Sequence, residues 1–205
     1  MRTTEEIINV IDNNAQAIVD NISNESIDVY NFLKTQFDNT NVTENYLFQF
    51  VYRSFYRLDN AGLTTKFKTE YFNLLQEYRL LDNFDFSAIL QRLFAITNHQ
   101  GQNTLQFSFV TKMQNTIFND RPIYDSEVAE VFSFKRPRQT LAFNDKVNIF
   151  LEQLAIIDET YEDLIKHQNL IDIIALFDNK FPNHNLQTIK IFDFIFWSAG
   201  KVIRQ

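Results

Sequence analysis

The stretch FKTEYFNLLQEY, residues 67–78, sets the fold class. Its Phe67, Tyr71, Leu74, Leu75 and Tyr78 recur at i, i+4, i+7, i+8 and i+11, the spacing that lines one face of an α-helix. The same period runs outward in both directions. Towards the N-terminus, Thr3 with Glu6 reads as a capping box before IINVIDNNAQAIVDNI. A second helix is expected over 26–37. A third starts near Thr43, carries Tyr46, Phe50, Val51, Ser54, Phe55 and Leu58, and stops at Asn60-Ala61-Gly62. Towards the C-terminus, Asp85 precedes FSAILQRLFAI, whose Ile89, Leu90, Leu93 and Phe94 form the next apolar stripe. Further helices are expected at about 105–118, 126–133, 144–157, 160–167, 169–179 and 186–198. No alternating strand pattern competes, so the fold class is all-α.

Composition narrows the field. The 205 residues, 45% of them hydrophobic, suffice for one helical domain with a sizeable core. The segment NHQGQN, residues 98–103, is the most loop-like and suggests two helical lobes, 1–98 and 104–205. With three glycines in the whole chain, no glycine-rich phosphate loop can be written. Zero cysteines exclude disulfides, thiolate nucleophiles and cysteine-held zinc. The three histidines, His99, His167 and His184, lack metal-ligand spacing, so no metal site and no cofactor are expected. No apolar run reaches the roughly 18 residues of a membrane span, and the N-terminal MRTTEEIINV does not read as a signal peptide. A cytoplasmic protein without a membrane partner is the simplest reading. The net charge of −7 lowers the expectation of a nucleic-acid partner without closing it, since a local basic patch overrides a total.

Chemistry concentrates between residues 107 and 132, FSFVTKMQNTIFNDRPIYDSEVAEVF. Lys112 stands in an otherwise apolar helix, beside Phe109, Val110, Met113 and Ile117. Its plain reading is a side chain snorkelling from a half-buried helix. Asp125 follows Pro122 and opens the next amphipathic run; its plain reading is a helix N-cap. Arg53 and Arg57 are expected to share a helical face and to pair with Asp59 or Glu44. Trp197 is expected to close the core, and Tyr52, Phe55 and Tyr56 to pack within it.

Taken together, FVTKM and RPIYDSEV resemble the catalytic segment of the helix-hairpin-helix superfamily of DNA glycosylases, most closely the bacterial 8-oxoguanine DNA glycosylase-like proteins. FQFVYRSFYRLDNAGLT (48–64) and IFDFIFWSAGK (191–201) also look similar to members of that group. The resemblance implies a helix-hairpin-helix glycosylase-like fold and a DNA repair glycosylase, with Schiff-base lyase activity on a damaged or modified base. It makes Lys112 the amine nucleophile and Asp125 the catalytic carboxylate. Such chemistry suits these residue types. Breaking an N-glycosidic bond builds positive charge on the deoxyribose, which a carboxylate stabilises, and a lysine in apolar surroundings yields its proton more readily. The glycine hairpin that holds a DNA phosphate in that family is absent here. DNA contacts would then fall to side chains, with Arg121, Lys135, Arg136 and Arg138 as the nucleic-acid-binding candidates, joined by Lys146. A solvated loop is the competing reading of FKRPRQ. The competing reading of the whole chain is a non-catalytic helical interaction or regulatory module that retains the glycosylase-like fold and has a protein partner.

Overall fold

The computed structural model describes residues 1–204, and every regular element among them is helical. In chain order these are α1 (Thr4–Asp12), α2 (Ala15–Asp20), α3 (Asn24–Asn39), α4 (Tyr46–Phe55), a 3-10 turn (Leu58–Ala61), α5 (Thr65–Tyr78), α6 (Phe86–Phe94), α7 (Phe107–Ile117), α8 (Ser126–Val131), α9 (Phe143–Lys166), α10 (Ile171–Lys180) and α11 (Thr188–Val202). The all-α expectation holds. The capping box at α1 is complete. The Glu6 N–H donates to the Thr3 hydroxyl at 3.2 Å, and the Thr3 N–H donates to Glu6 Oε2 at 2.8 Å. Asp85 caps α6 through the Ala88 N–H at 3.0 Å.

Three boundaries differ from the periodic pattern, each for a local reason. The first expected helix breaks at Asn13-Asn14 into α1 and α2. There the Asn14 amide donates to the Val10 carbonyl at 2.8 Å and leaves helical geometry. Residues 144–157 and 160–167 join into the single 24-residue α9. Nothing between them stops a helix, and the Thr160 hydroxyl donates back to the Ile156 carbonyl at 2.7 Å. The third helix ends early, at Phe55, because Arg57 turns left-handed with φ 60°. Arg53 and Arg57 therefore do not share a helical face; Arg53 pairs with Asp59 at 3.3 Å, as expected of it.

The chain divides into two compact units, though not at residues 98–103. Unit 1 joins Met1–Ile27 to the chain from Asn119 onward, and unit 2 is Asp28–Phe118. The first 27 residues belong with the C-terminal part because α1 and α2 bury their apolar faces against α10 and α11. Lys180 secures this by donating to the carbonyls of Val19, Asp20 and Ile22 at 2.9, 3.0 and 2.8 Å, at the C-terminal end of α2, where a cation is favoured. At the centre of unit 1 lies α11, buried on nearly every side from Lys190 to Gly200. Trp197 is its exception, half-buried with Lys201 Nζ 3.6 Å from a ring centre.

Unit 2 is built around the stripe 67–78. Phe67, Tyr71, Leu74, Leu75 and Tyr78 are all buried, joined by Phe48 and Tyr52 from α4. A hydrogen-bonded chain ties three helices. The Tyr52 and Tyr71 hydroxyls lie 2.9 Å apart, and Tyr71 donates to the Phe109 carbonyl at 2.8 Å. The Tyr52 hydroxyl also lies 3.2 Å from the Thr116 hydroxyl. Both buried phenols are thus satisfied, as burial requires. Tyr56 is buried and Phe55 partly so, in keeping with a packing role.

Candidate functional site

Lys112 lies in unit 2 on α7, between buried Thr111 and Met113, and is itself half-buried. Its Nζ donates to the Ser108 hydroxyl at 3.2 Å, one helical turn back. The same nitrogen lies 5.2 Å from the Phe109 ring centre and 5.9 Å from that of Tyr56. The aliphatic arm is therefore covered and the nitrogen is aimed by two aromatic faces and a hydroxyl. Ring faces attract the ammonium form, so amine chemistry at this position requires a base to take the proton. Ahead of α7, the turn at Asn98 uses its own backbone donors. The Gln100 and Gln102 N–H groups donate to Asn98 Oδ1, both at 2.9 Å, and the Gly101 N–H to the Asn98 carbonyl at 3.0 Å. These amides are already engaged within the turn, unlike those of a phosphate-holding hairpin.

Asp125 lies in unit 1 and is the N-cap of α8. Its Oδ1 accepts from the Glu127 and Val128 N–H groups at 2.9 and 3.0 Å. Both cap bonds fall on one oxygen, so Oδ2 takes no part in the cap. This allows a separation of roles by substitution. Asp125→Asn keeps a capping acceptor and is expected to change stability by only a few tenths of a kcal/mol. Asp125→Ala loses the cap and is expected to cost about 1 kcal/mol, measured by urea unfolding. Equal losses in the two variants would mean that the charge, not the cap, does the structural work.

The turn leading into α8 is held from α9 and α11. Arg121 pairs with Asp158 at 3.2 Å, the Tyr124 hydroxyl donates to Gln153 Oε1 at 2.9 Å, and the Ile123 N–H donates to Asp193 Oδ1 at 3.1 Å. Asp193 Oδ2 in turn accepts from Lys190 Nζ at 3.3 Å. Both charged side chains are at most 5% exposed. Burial drives the Lys190 ammonium below its ordinary range and pushes the Asp193 carboxyl up to about 6. Beside them the Tyr161 hydroxyl is fully buried and has no hydrogen-bond partner among the described residues; burial and the Asp193 and Asp125 charges push its titration well above the ordinary range. Neither Lys190 nor Asp193 is among the site residues expected from the sequence. The signal was available: in a helix apolar on all sides, a Lys and an Asp three residues apart have no polar face to occupy and can only be buried as a pair.

Among the DNA-contact candidates, Lys135, Arg136 and Arg138 are exposed and form no ion pair among the described residues. Lys146 closes this segment by donating to the Gln139 carbonyl at 2.7 Å. Arg121 is already committed to Asp158. His184 bonds to Asp178 at 3.0 Å and accepts from the Leu186 N–H, and His167 lies 3.3 Å from Asp163. No helix among the described residues is long and apolar enough to cross a membrane.

The fold and site define an all-helical protein carrying an aromatic-lined lysine, a carboxylate N-cap and a buried Lys-Asp pair. Compared with models of known protein families, with curated proteins and with solved structures, the chain matches none.

Proposed function

We propose that the protein is a glycosylase-like enzyme that attacks the sugar of a damaged or modified nucleotide in DNA through the Lys112 amine. The observation that carries this reading is the setting of Lys112: a half-buried arm whose nitrogen lies between the Tyr56 and Phe109 ring faces and donates to the Ser108 hydroxyl. The Lys112 amine attacks C1′, the C1′–N bond breaks with its electron pair going to the base, and the proton lost by the amine ends on the departing base. The attack starts from the neutral amine, after a base has taken the ammonium proton; the C1′–O4′ bond then breaks, O4′ takes the second amine proton, and the C1′=N imine forms. The glycosylase resemblance gives Asp125 the carboxylate role, in which a carboxylate stabilises the positive charge that builds on the sugar. The exposed cations Lys135, Arg136 and Arg138 suit contact with backbone phosphates.

Borohydride trapping on abasic and damaged-base duplexes tests the roles separately. Wild type is expected to give a covalent adduct with both substrates, and Lys112→Ala with neither. Asp125→Asn, which keeps its cap, is expected to trap the abasic duplex while releasing a damaged base at least about 100-fold more slowly, the scale of one lost transition-state charge. Trapping that survives Lys112→Ala would remove the proposal.

A second reading is a helical interaction module. It is favoured by the exposed face of α4, where Tyr46, Leu47 and Phe50 are 78%, 61% and 59% exposed. That reading expects no DNA affinity even at low salt, where phosphate contacts are strongest.

A further inference from the structure

A buried ionic tie holds the turn at 119–125. Arg121–Asp158 and Tyr124–Gln153 hold its flanks, and the Ile123 N–H donates to the carboxylate of Asp193, buried away from water. The groups whose charge reaches that carboxylate are Lys190 on its own helix, Asp125 in the turn and Tyr161 on α9. We propose that Asp193 is a proton-operated latch: ionised, it grips the Ile123 N–H and fixes the turn, and protonated, it lets the turn loosen. A hydrogen bond to a carboxylate is roughly twice as strong as one to a neutral acid, so protonation weakens the grip without removing the acceptor. The Asp125 charge also acts on both Lys190 and Asp193, so the cap residue feels the change. Because burial brings the titration of Asp193 to about 6, a modest acidification suffices. Any effect of the latch on catalysis rests on the proposed role of Asp125; the latch itself does not.

Amide exchange in the full chain tests it, followed for residues 119–128 and corrected for the intrinsic pH dependence of exchange, with the 65–78 helix as internal reference. Wild-type protection of the turn is expected to fall about tenfold as the pH drops through about 6. Asp193→Asn is expected to show the low protection at every pH. Lys190→Met with Asp193→Leu removes both charges and covers the case in which the single variant fails to fold; it too is expected to show low protection and no step. A wild-type turn with constant protection across this range overturns the latch, as does a step that persists in either variant.

Discussion

Asp193→Ala is expected to destabilise the protein by about 3–5 kcal/mol at neutral pH, because it strands the Lys190 charge inside α11 and takes the acceptor from the Ile123 N–H. Lys190→Met combined with Asp193→Leu is expected to cost clearly less, since removing both charges also removes their desolvation penalty. Urea unfolding of the two proteins checks the order, and a double variant as weak as the single one would contradict it. The pair also fixes a pH dependence. Asp193 titrates at about 6 when folded against an ordinary 3.8, so the folded state binds this proton more tightly than the unfolded chain. Its stabilising contribution is therefore fully present below 3.8 and is lost as the pH rises through about 6. At 1.36 kcal/mol per unit, wild type is expected to lose roughly 3 kcal/mol relative to Asp193→Asn across that window. Parallel pH profiles for the two proteins would contradict the assignment. Lys190 acts in the opposite sense at alkaline pH, where its lowered titration adds stability as the pH rises. The charged pair thus costs stability while it holds the turn; the neutral acid is easier to bury and grips less.

Gly200→Ala is expected to cost about 3 kcal/mol and to lower Tm by about 10 °C. An added Cβ would lie 2.5 Å from the Glu127 carbonyl carbon, 2.7 Å from its Cα and closer still to its oxygen. The clash is with backbone, so no side-chain rotation relieves it; α8 and α11 must separate. That separation would disturb the helix that Asp125 caps and would strain the contacts of Arg204 with Ser126, Glu127 and Glu130. Thermal unfolding followed by circular dichroism measures the effect. A loss under about 1 kcal/mol would mean that the two helices are not held at this distance.

Much of the helical content was legible because it is written in local terms. The Thr3–Glu6 box, the Asp85 cap and the stripe from Phe67 to Tyr78 each specify their helix through residues within one or two turns. Asp125 as a cap was legible for the same reason. The break at Asn14 and the left-handed Arg57 were not, since each depends on a single side chain or dihedral against a continuing apolar period. The division into units was hidden because it depends on which helices pack together, and α1 and α2 pair with elements more than 150 residues away. At the site, Lys112 was found by the oddness of a cation in an apolar helix, but its partners Tyr56 and Ser108 had to come from the fold. Lys190 and Asp193 were not legible as site residues because only as a buried pair do they make sense, and their burial comes from the packing around α11.

The most direct measurement of the account is the identity of the lysine that carries the sugar. Wild-type protein is incubated with abasic and damaged-base duplexes in borohydride, digested, and the reduced adduct located by mass spectrometry. The account predicts the adduct on Lys112. An adduct on Lys135, Lys190 or another amine, or none with any of the duplexes, would contradict it.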